Sequence, residues 1–131
     1  MGRLRHSALI AALADRGGST AIEFALVSTA LCTVLYGSVE FCRMVWTQSA
    51  LNFAVQEAAR CASVTPATCG TAAQITTYAA GEIATAYVPA SAFTATTASC
   101  GHQVTASLVY PFVVTGLFPT APTLGASACF P

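Results

Sequence analysis

Residues 18–40 read GSTAIEFALVSTALCTVLYGSVE. From Phe24 to Val39 there are 16 residues without a charge. With Ala21 and Ile22 on the near side of Glu23, the run is long enough to cross a bilayer at ~1.5 Å per residue. Glu23 stands alone inside it. An acidic side chain at a membrane-spanning position costs about 2.5 to 3.5 kcal/mol on insertion scales, so it is normally paired and normally functional. The stretch therefore predicts a membrane helix carrying one working carboxylate.

The helical pattern does not stop at Val39, since no proline occurs before Pro66. On a 100° wheel Phe41, Met44, Leu51, Val55, Ala58 and Ala62 share one face, with Arg43, Glu57 and Arg60 opposite. One helix from Thr20 to Ala62 is predicted, about 43 residues and roughly 65 Å long, its lower half in lipid and its upper half against a head domain. Trp46 and Phe53 form a second stripe, for which a membrane-interface anchor and simple packing are both open readings for Trp46. Glu40 with Arg43, and Glu57 with Arg60, are spaced for i, i+3 pairs on an exposed surface, each contributing under about 0.5 kcal/mol.

Of the chain's 131 residues, 55% are hydrophobic and 8% charged, with no lysine, and the mean hydropathy is +0.66. An ordinary soluble domain does not look like this. Nine of the ten charged residues lie within residues 1–60 and only Glu82 beyond, so the distal half offers no basic stripe for nucleic acid. Arg3, Arg5 and Arg16 precede the apolar run and Arg43 follows it, which favours a cytoplasmic N-terminus and places residues 41–131 outside the cytoplasm. Cys61, Cys69, Cys100 and Cys129 all fall in that exported part, where disulfides persist. Four cysteines allow three pairings. The expected one joins Cys61 to Cys69 around a short loop and Cys100 to Cys129 across two strands. Cys32 and Cys42, ten residues and roughly 15 Å apart on one helix, cannot bridge each other. They read as small helix-packing residues, or as partners for a cysteine in a neighbouring subunit.

Beyond Pro66 a second helix is predicted over Ala72 to Val88, from Ile75, Tyr78, Ala79, Ile83, Ala86 and Tyr87 at three- and four-residue intervals, with a break near Gly81. Three strands follow: threonine-rich Ala92 to Ala98, alternating Val104 to Tyr110, and the short apolar run Leu124 to Phe130. Pro111, Pro119 and Pro122 mark a surface loop between the last two. The expected fold is α+β: a long N-terminal membrane-spanning helix continuing into a small extracytoplasmic head with one further helix and a three-stranded antiparallel sheet. The expected divisions are a leader at 1–18, the helix at 19–62 and the head at 63–131.

Residues 1–18 read as a leader rather than as part of the fold. Ala12-Leu13-Ala14 imitates a secretory cleavage site, but the apolar segment Ala8 to Ala14 before it is short. The favoured cut falls after Gly18, leaving the apolar helix in the mature protein. The run Arg16-Gly17-Gly18-Ser19-Thr20-Ala21-Ile22-Glu23-Phe24 resembles the processing region of type IV pilins. The longer stretch Gly17 to Ala62, with Gly37-Ser38-Val39-Glu40, Arg43 and Glu57-Ala58-Ala59-Arg60 in order, resembles the TadE-like family of tight-adherence pilus-assembly pseudopilins. The resemblance covers about a third of the chain and departs from the family at Thr29, where proline is frequent, so no kink is assumed there.

That resemblance implies cleavage between Gly18 and Ser19 by a prepilin peptidase and a location in the bacterial cytoplasmic membrane, single-pass, with incorporation into a pilus. It implies other pilin or pseudopilin subunits and the pilus assembly platform as partners. It also implies that Glu23 neutralises the new amino group of Ser19 during subunit assembly. The plainer reading of Glu23 is local, since Thr20-Ala21-Ile22-Glu23 fits a helix capping box.

Little points to catalysis. His6 lies in the leader and His102 is the only other histidine. Cys100-Gly101-His102 imitates a Cys/His nucleophile, the least favoured reading. No phosphate loop or metal-ligand cluster is spelled out. The chain is read as non-enzymatic, with no metal, cofactor, nucleic acid or small-molecule substrate expected. A permanently anchored extracytoplasmic binding module that keeps residues 1–18 is the alternative to a pseudopilin.

Overall fold

The structure, a computed structural model, describes residues 17–83, 88–113 and 120–131. In chain order the elements are helix α1 (Gly17–Val64), the one-turn helix α2 (Pro66–Cys69), helix α3 (Ala72–Gly81), a 3₁₀ turn (Ala90–Ala92), and strands β1 (Phe93–Ala98), β2 (Gly101–Val109) and β3 (Thr123–Phe130). The class is α+β, as the sequence predicts. The chain divides between Val39 and Glu40 into two units.

In the first unit α1 is exposed on every side: Ile22, Phe24, Leu26, Leu31, Val34 and Val39 each present more than half their surface. The helix is long and apolar enough to cross a membrane. Four of its hydroxyls are satisfied by the helix itself. Ser28 and Thr29 donate to the Ala25 carbonyl at 3.1 and 2.7 Å, Thr33 to Thr29 at 2.8 Å, and Ser38 to Leu35 at 2.8 Å. Polar side chains that bond back to the preceding turn need no water, which is the condition for lying in hydrocarbon. The helix runs unbroken through Thr29, consistent with the absence of proline there.

In the second unit α1 carries the core. Leu51, Ala54, Val55, Ala58, Ala59 and Ala62 are buried with Val104, Ala106, Leu108, Tyr110 and Leu124 of the sheet side and with Ile75 and Ala79 of α3. The helix contributes mainly alanine to this core, and the sheet valine, alanine and leucine. Phe41 is a correction: it is 61% exposed, at the margin of the face assigned to it.

The sheet order is β1-β2-β3, antiparallel throughout. Its register aligns Phe93 with Ala106, Ala95 with Val104, Val104 with Ala128 and Leu108 with Leu124. All of these occupy one face, and the period of two leaves Thr94, Thr96, Thr105 and Ser127 on the other. Gly101 closes the β1–β2 hairpin at φ 114°, where a Cβ would meet the Phe130 carbonyl, so a side chain is excluded there. Edge strand β3 is fastened to α1: Gln48 Nε2 donates to the Gly125 carbonyl at 2.7 Å and Ser63 Oγ to the Phe130 carbonyl at 3.3 Å.

Pro66 ends α1 and opens α2 at its first turn, where a missing N–H costs nothing. Cys61 and Cys69 are joined across this corner with Cα atoms 5.7 Å apart, and Cys100 and Cys129 are joined with Cα atoms 6.2 Å apart. Both expected disulfides are present in the fold. Helix α3 ends at Gly81, where the break is expected, and does not run to Val88; Ala86 and Tyr87 lie outside the described residues. Glycine is a poor interior helix residue, and the chain leaves the helix as the Glu82 amide bonds to the Tyr78 carbonyl at 3.1 Å. The start of α3 is fixed by a capping box: the Gln74 amide donates to Thr71 Oγ1 at 3.3 Å, and the Thr71 amide to Gln74 Oε1 at 3.0 Å. Of the expected leader, residues 1–16, with Arg3, Arg5, His6 and Arg16, lie outside the described residues, as does Pro119.

Candidate functional site

Gly18, Ser19 and Glu23 lie within one and a half turns of α1, all exposed. A Cβ built at Gly18 would touch nothing within 4 Å among the described residues, so no packing requirement among them selects glycine there. Ser19 and Glu23 are four residues apart and so share a helix face. Ile22 and Phe24, 66% and 74% exposed, flank the carboxylate with hydrocarbon. The capping-box reading of Thr20 and Glu23 does not hold in the uncut chain, because Thr20 lies inside α1, three residues past its first residue.

A second carboxylate is more enclosed. Glu40 is 5% exposed, and Arg43 Nη1 reaches its Oε2 at 3.2 Å. The Val113 amide also donates to Glu40 Oε1, at 3.4 Å. The expected Glu40–Arg43 pair therefore exists, but as a part-buried one and not a surface one. Glu57 and Arg60 form no such pair among the described residues. Glu40 stands seven residues before Thr47 and eleven before Leu51, on the buried face of α1, and this spacing was the signal available for its burial. Trp46 and Phe53 are 74% and 52% exposed, so neither packs in the core.

Cys100 is bonded to Cys129, which leaves no thiol beside His102 and removes the Cys/His nucleophile. His102 and Gln103 line a shallow cavity of about 150 Å³ with Ile75 and Val104. Among the described residues no cluster of three or more His, Cys, Asp or Glu side chains is arranged to hold a metal ion. Cys32 and Cys42 are exposed free thiols on α1.

Tyr78 on α3 is the described group whose titration clearly moves. The Glu82 carboxylate raises its pKa by its charge, partial burial adds to this, its hydrogen bond to Glu82 adds more, and Glu57 contributes from α1. A raised folded-state pKa means the folded chain holds the phenol proton more tightly than the unfolded chain. This contribution is complete below the ordinary tyrosine value of about 10 and disappears as pH rises through the raised one. The melting temperature of the detergent-solubilised chain is expected to fall more between neutral and strongly alkaline pH than that of Tyr78→Phe. Parallel curves would refute the assignment.

A family model described as TadE-like protein matches residues 18–60. Over that stretch the chain is similar to the TadE-like family. The match begins at Gly18 and takes in Ser19, Glu23, Glu40, Arg43, Glu57 and Arg60, close to the limits set by the resemblance in the sequence. It stops one residue before Cys61, so the disulfide-bonded part of the chain lies beyond it. TadE-like proteins are pilus structural proteins. No curated protein and no solved structure matches the chain.

Proposed function

We propose that this chain is a minor pseudopilin of a tight-adherence pilus, held in the bacterial cytoplasmic membrane by α1 with its N-terminus in the cytoplasm. A prepilin peptidase removes residues 1–18. The mature helix, from Ser19, then passes through the assembly platform and packs against other pilin or pseudopilin subunits, while residues 63–131 form an extracytoplasmic head. The observation that carries this reading is the coincidence of two limits. The TadE-like match opens at Gly18, and the lone carboxylate of the apolar run is the fifth residue after it.

Physical features of the site support the reading. A protease must open a helix to reach a backbone bond, and Gly17-Gly18 are each roughly 1 kcal/mol poorer helix formers than alanine. Nothing among the described residues within 4 Å of a Cβ at Gly18 explains the residue otherwise. Glu23 is a costly residue in lipid unless a cation meets it, and cleavage creates one at Ser19, on the same helix face.

Intact mass and N-terminal sequencing of the protein, recovered from membranes of a host with its own pilus machinery, test this directly. A chain starting at Ser19 is expected. A start at Met1 or Gly2 would favour a fixed anchor, and a start at Asp15 ordinary secretion. Either result would end the pseudopilin reading.

A further inference from the structure

The second unit begins at Glu40, the first charged residue after the uncharged run of α1. Around this point apolar side chains are exposed on more than one side of the helix. Phe41, Val45 and Trp46 are 61%, 46% and 74% exposed, and on a 100° wheel they spread over about 140°. The remaining side is supplied by a distant part of the chain. Val113, 69% exposed, is brought to the level of Glu40 by its amide bond to that carboxylate. Phe112 stands beside it, stacked edge-on to the buried Tyr110 with ring centroids 5.2 Å apart. Arg43, paired with Glu40, keeps 41% of its side chain exposed one turn further along.

This arrangement is poorly suited to water and well suited to the boundary layer of a membrane. Tryptophan is favoured at the headgroup level, and a guanidinium there meets lipid phosphates while its stem covers hydrocarbon. Glu40 would be an expensive residue to bury without a purpose, because a carboxylate taken from water has to be paired and hydrogen-bonded. Here its two partners are the cation that faces outward and the backbone of the apolar Val113. The carboxylate thus fixes Val113 beside the first turn of the second unit's part of α1.

We propose that Phe41, Val45, Trp46 and Val113 form a collar that seats the second unit in the phospholipid headgroup layer, with Arg43 directed to lipid phosphate and Glu40 holding Val113 in place. The proposal rests on the reading of α1 as a membrane span and is continuous with it along the chain. Its consequence is that a subunit leaving the bilayer for a filament gives up the contacts of its head as well as those of its helix.

The test uses the full chain in vesicles of phosphatidylethanolamine and phosphatidylglycerol, with nitroxide labels whose collisions with oxygen and with a water-soluble nickel chelate are compared. One label sits on native Cys32 in a Cys42→Ala background and reports on the span. A second sits on Val113→Cys in a Cys32→Ala, Cys42→Ala background, and a third on Thr96→Cys, on the outer sheet face, in the same background. The expected order is oxygen over nickel at Cys32 and at Val113→Cys, and nickel over oxygen at Thr96→Cys. Trp46, the single tryptophan, is expected to be quenched more by lipids brominated near the glycerol than by lipids brominated at the chain end.

A Val113→Cys label in water with Cys32 in lipid would overturn the collar and leave the span standing. A Cys32 label in water would overturn the span, and the collar with it. A Val113→Cys label shielded from both reagents would mean that protein covers the surface, and this too overturns the proposal. Adding Glu40→Ala is expected to move the Val113→Cys label into water without altering Cys32, and an unmoved label would remove the role given to Glu40.

Discussion

Glu23→Gln is expected to be cut after Gly18 at close to the normal extent and then to be missing from sheared filaments, accumulating in the membrane. The reasoning separates the charge of Glu23 from its shape. Glutamine is nearly isosteric and serves as well as glutamate at the fourth position of a capping box, so helix capping after cleavage would survive the change. Only the negative charge is lost. An α-amino group is largely a cation at neutral pH, and opposite charges about 4 Å apart attract by roughly 4 kcal/mol at an effective dielectric of about 20. With glutamine at position 23 the new Ser19 ammonium meets no counter-charge among the apolar neighbours Ile22 and Phe24, and the cost of bringing it into a helix bundle is uncompensated. Glu23→Asp, which keeps the charge but shortens the reach, is expected to restore part of the incorporation. The readout is intact mass of both the membrane and the sheared fraction. Wild-type levels of mature Glu23→Gln in filaments would mean that the carboxylate is not an assembly residue.

What the sequence made legible, and what it hid, follows from how local each determinant is. α1 was readable almost end to end, as Thr20 to Ala62 against the observed Gly17–Val64, because an uncharged run, a wheel pattern and a terminating proline are all local. The strands were readable from threonine content, from alternation over Val104 to Tyr110 and from an apolar run, although β2 begins at Gly101, three residues before the start read for it. The break near Gly81 was legible from the glycine, but the helix was carried past it to Val88 because Ile83 keeps the helical spacing although it lies outside the helix. The capping box at Thr71 and Gln74 was spelled out in the sequence but was read only at Thr20 and Glu23. Glu40 was the hardest case. Its charge argued for the surface against the wheel position that places it on the buried face, and its bond from Val113, 73 residues away, is one that no local pattern reports. The candidate processing site was legible for the opposite reason, since glycine, glutamate and an apolar run are contiguous. The role of the head was not legible at all, because the family match ends at residue 60.

Replacing both Cys100 and Cys129 by serine is expected to lower stability more than replacing both Cys61 and Cys69. The two bridges differ in what they replace. Cys61 and Cys69 are eight residues apart, and the corner between them is already held by backbone bonds from the Thr65 amide to the Cys61 carbonyl at 2.8 Å and from Cys69 to Thr65 at 3.0 Å. Cys100 and Cys129 are 29 residues apart and fasten the β1–β2 turn to an edge strand that reaches the sheet only after a long connection. On the chain-entropy model the longer closure contributes about 3.6 kcal/mol and the shorter about 2.5 kcal/mol. Packing widens the gap, because β3 offers mainly Leu124, Ala126 and Ala128 to the core, and alanine contributes little burial to hold a frayed strand in place. Against a total of about 5 to 15 kcal/mol, losing the longer bridge is a large fraction. For a domain of this size it corresponds to a fall in melting temperature of roughly 15 °C or more. Circular dichroism of the two double variants in detergent gives the comparison. Equal losses, or a larger one from the Cys61 and Cys69 pair, would mean that β3 is held by the bonds from Gln48 and Ser63 and not by the bridge.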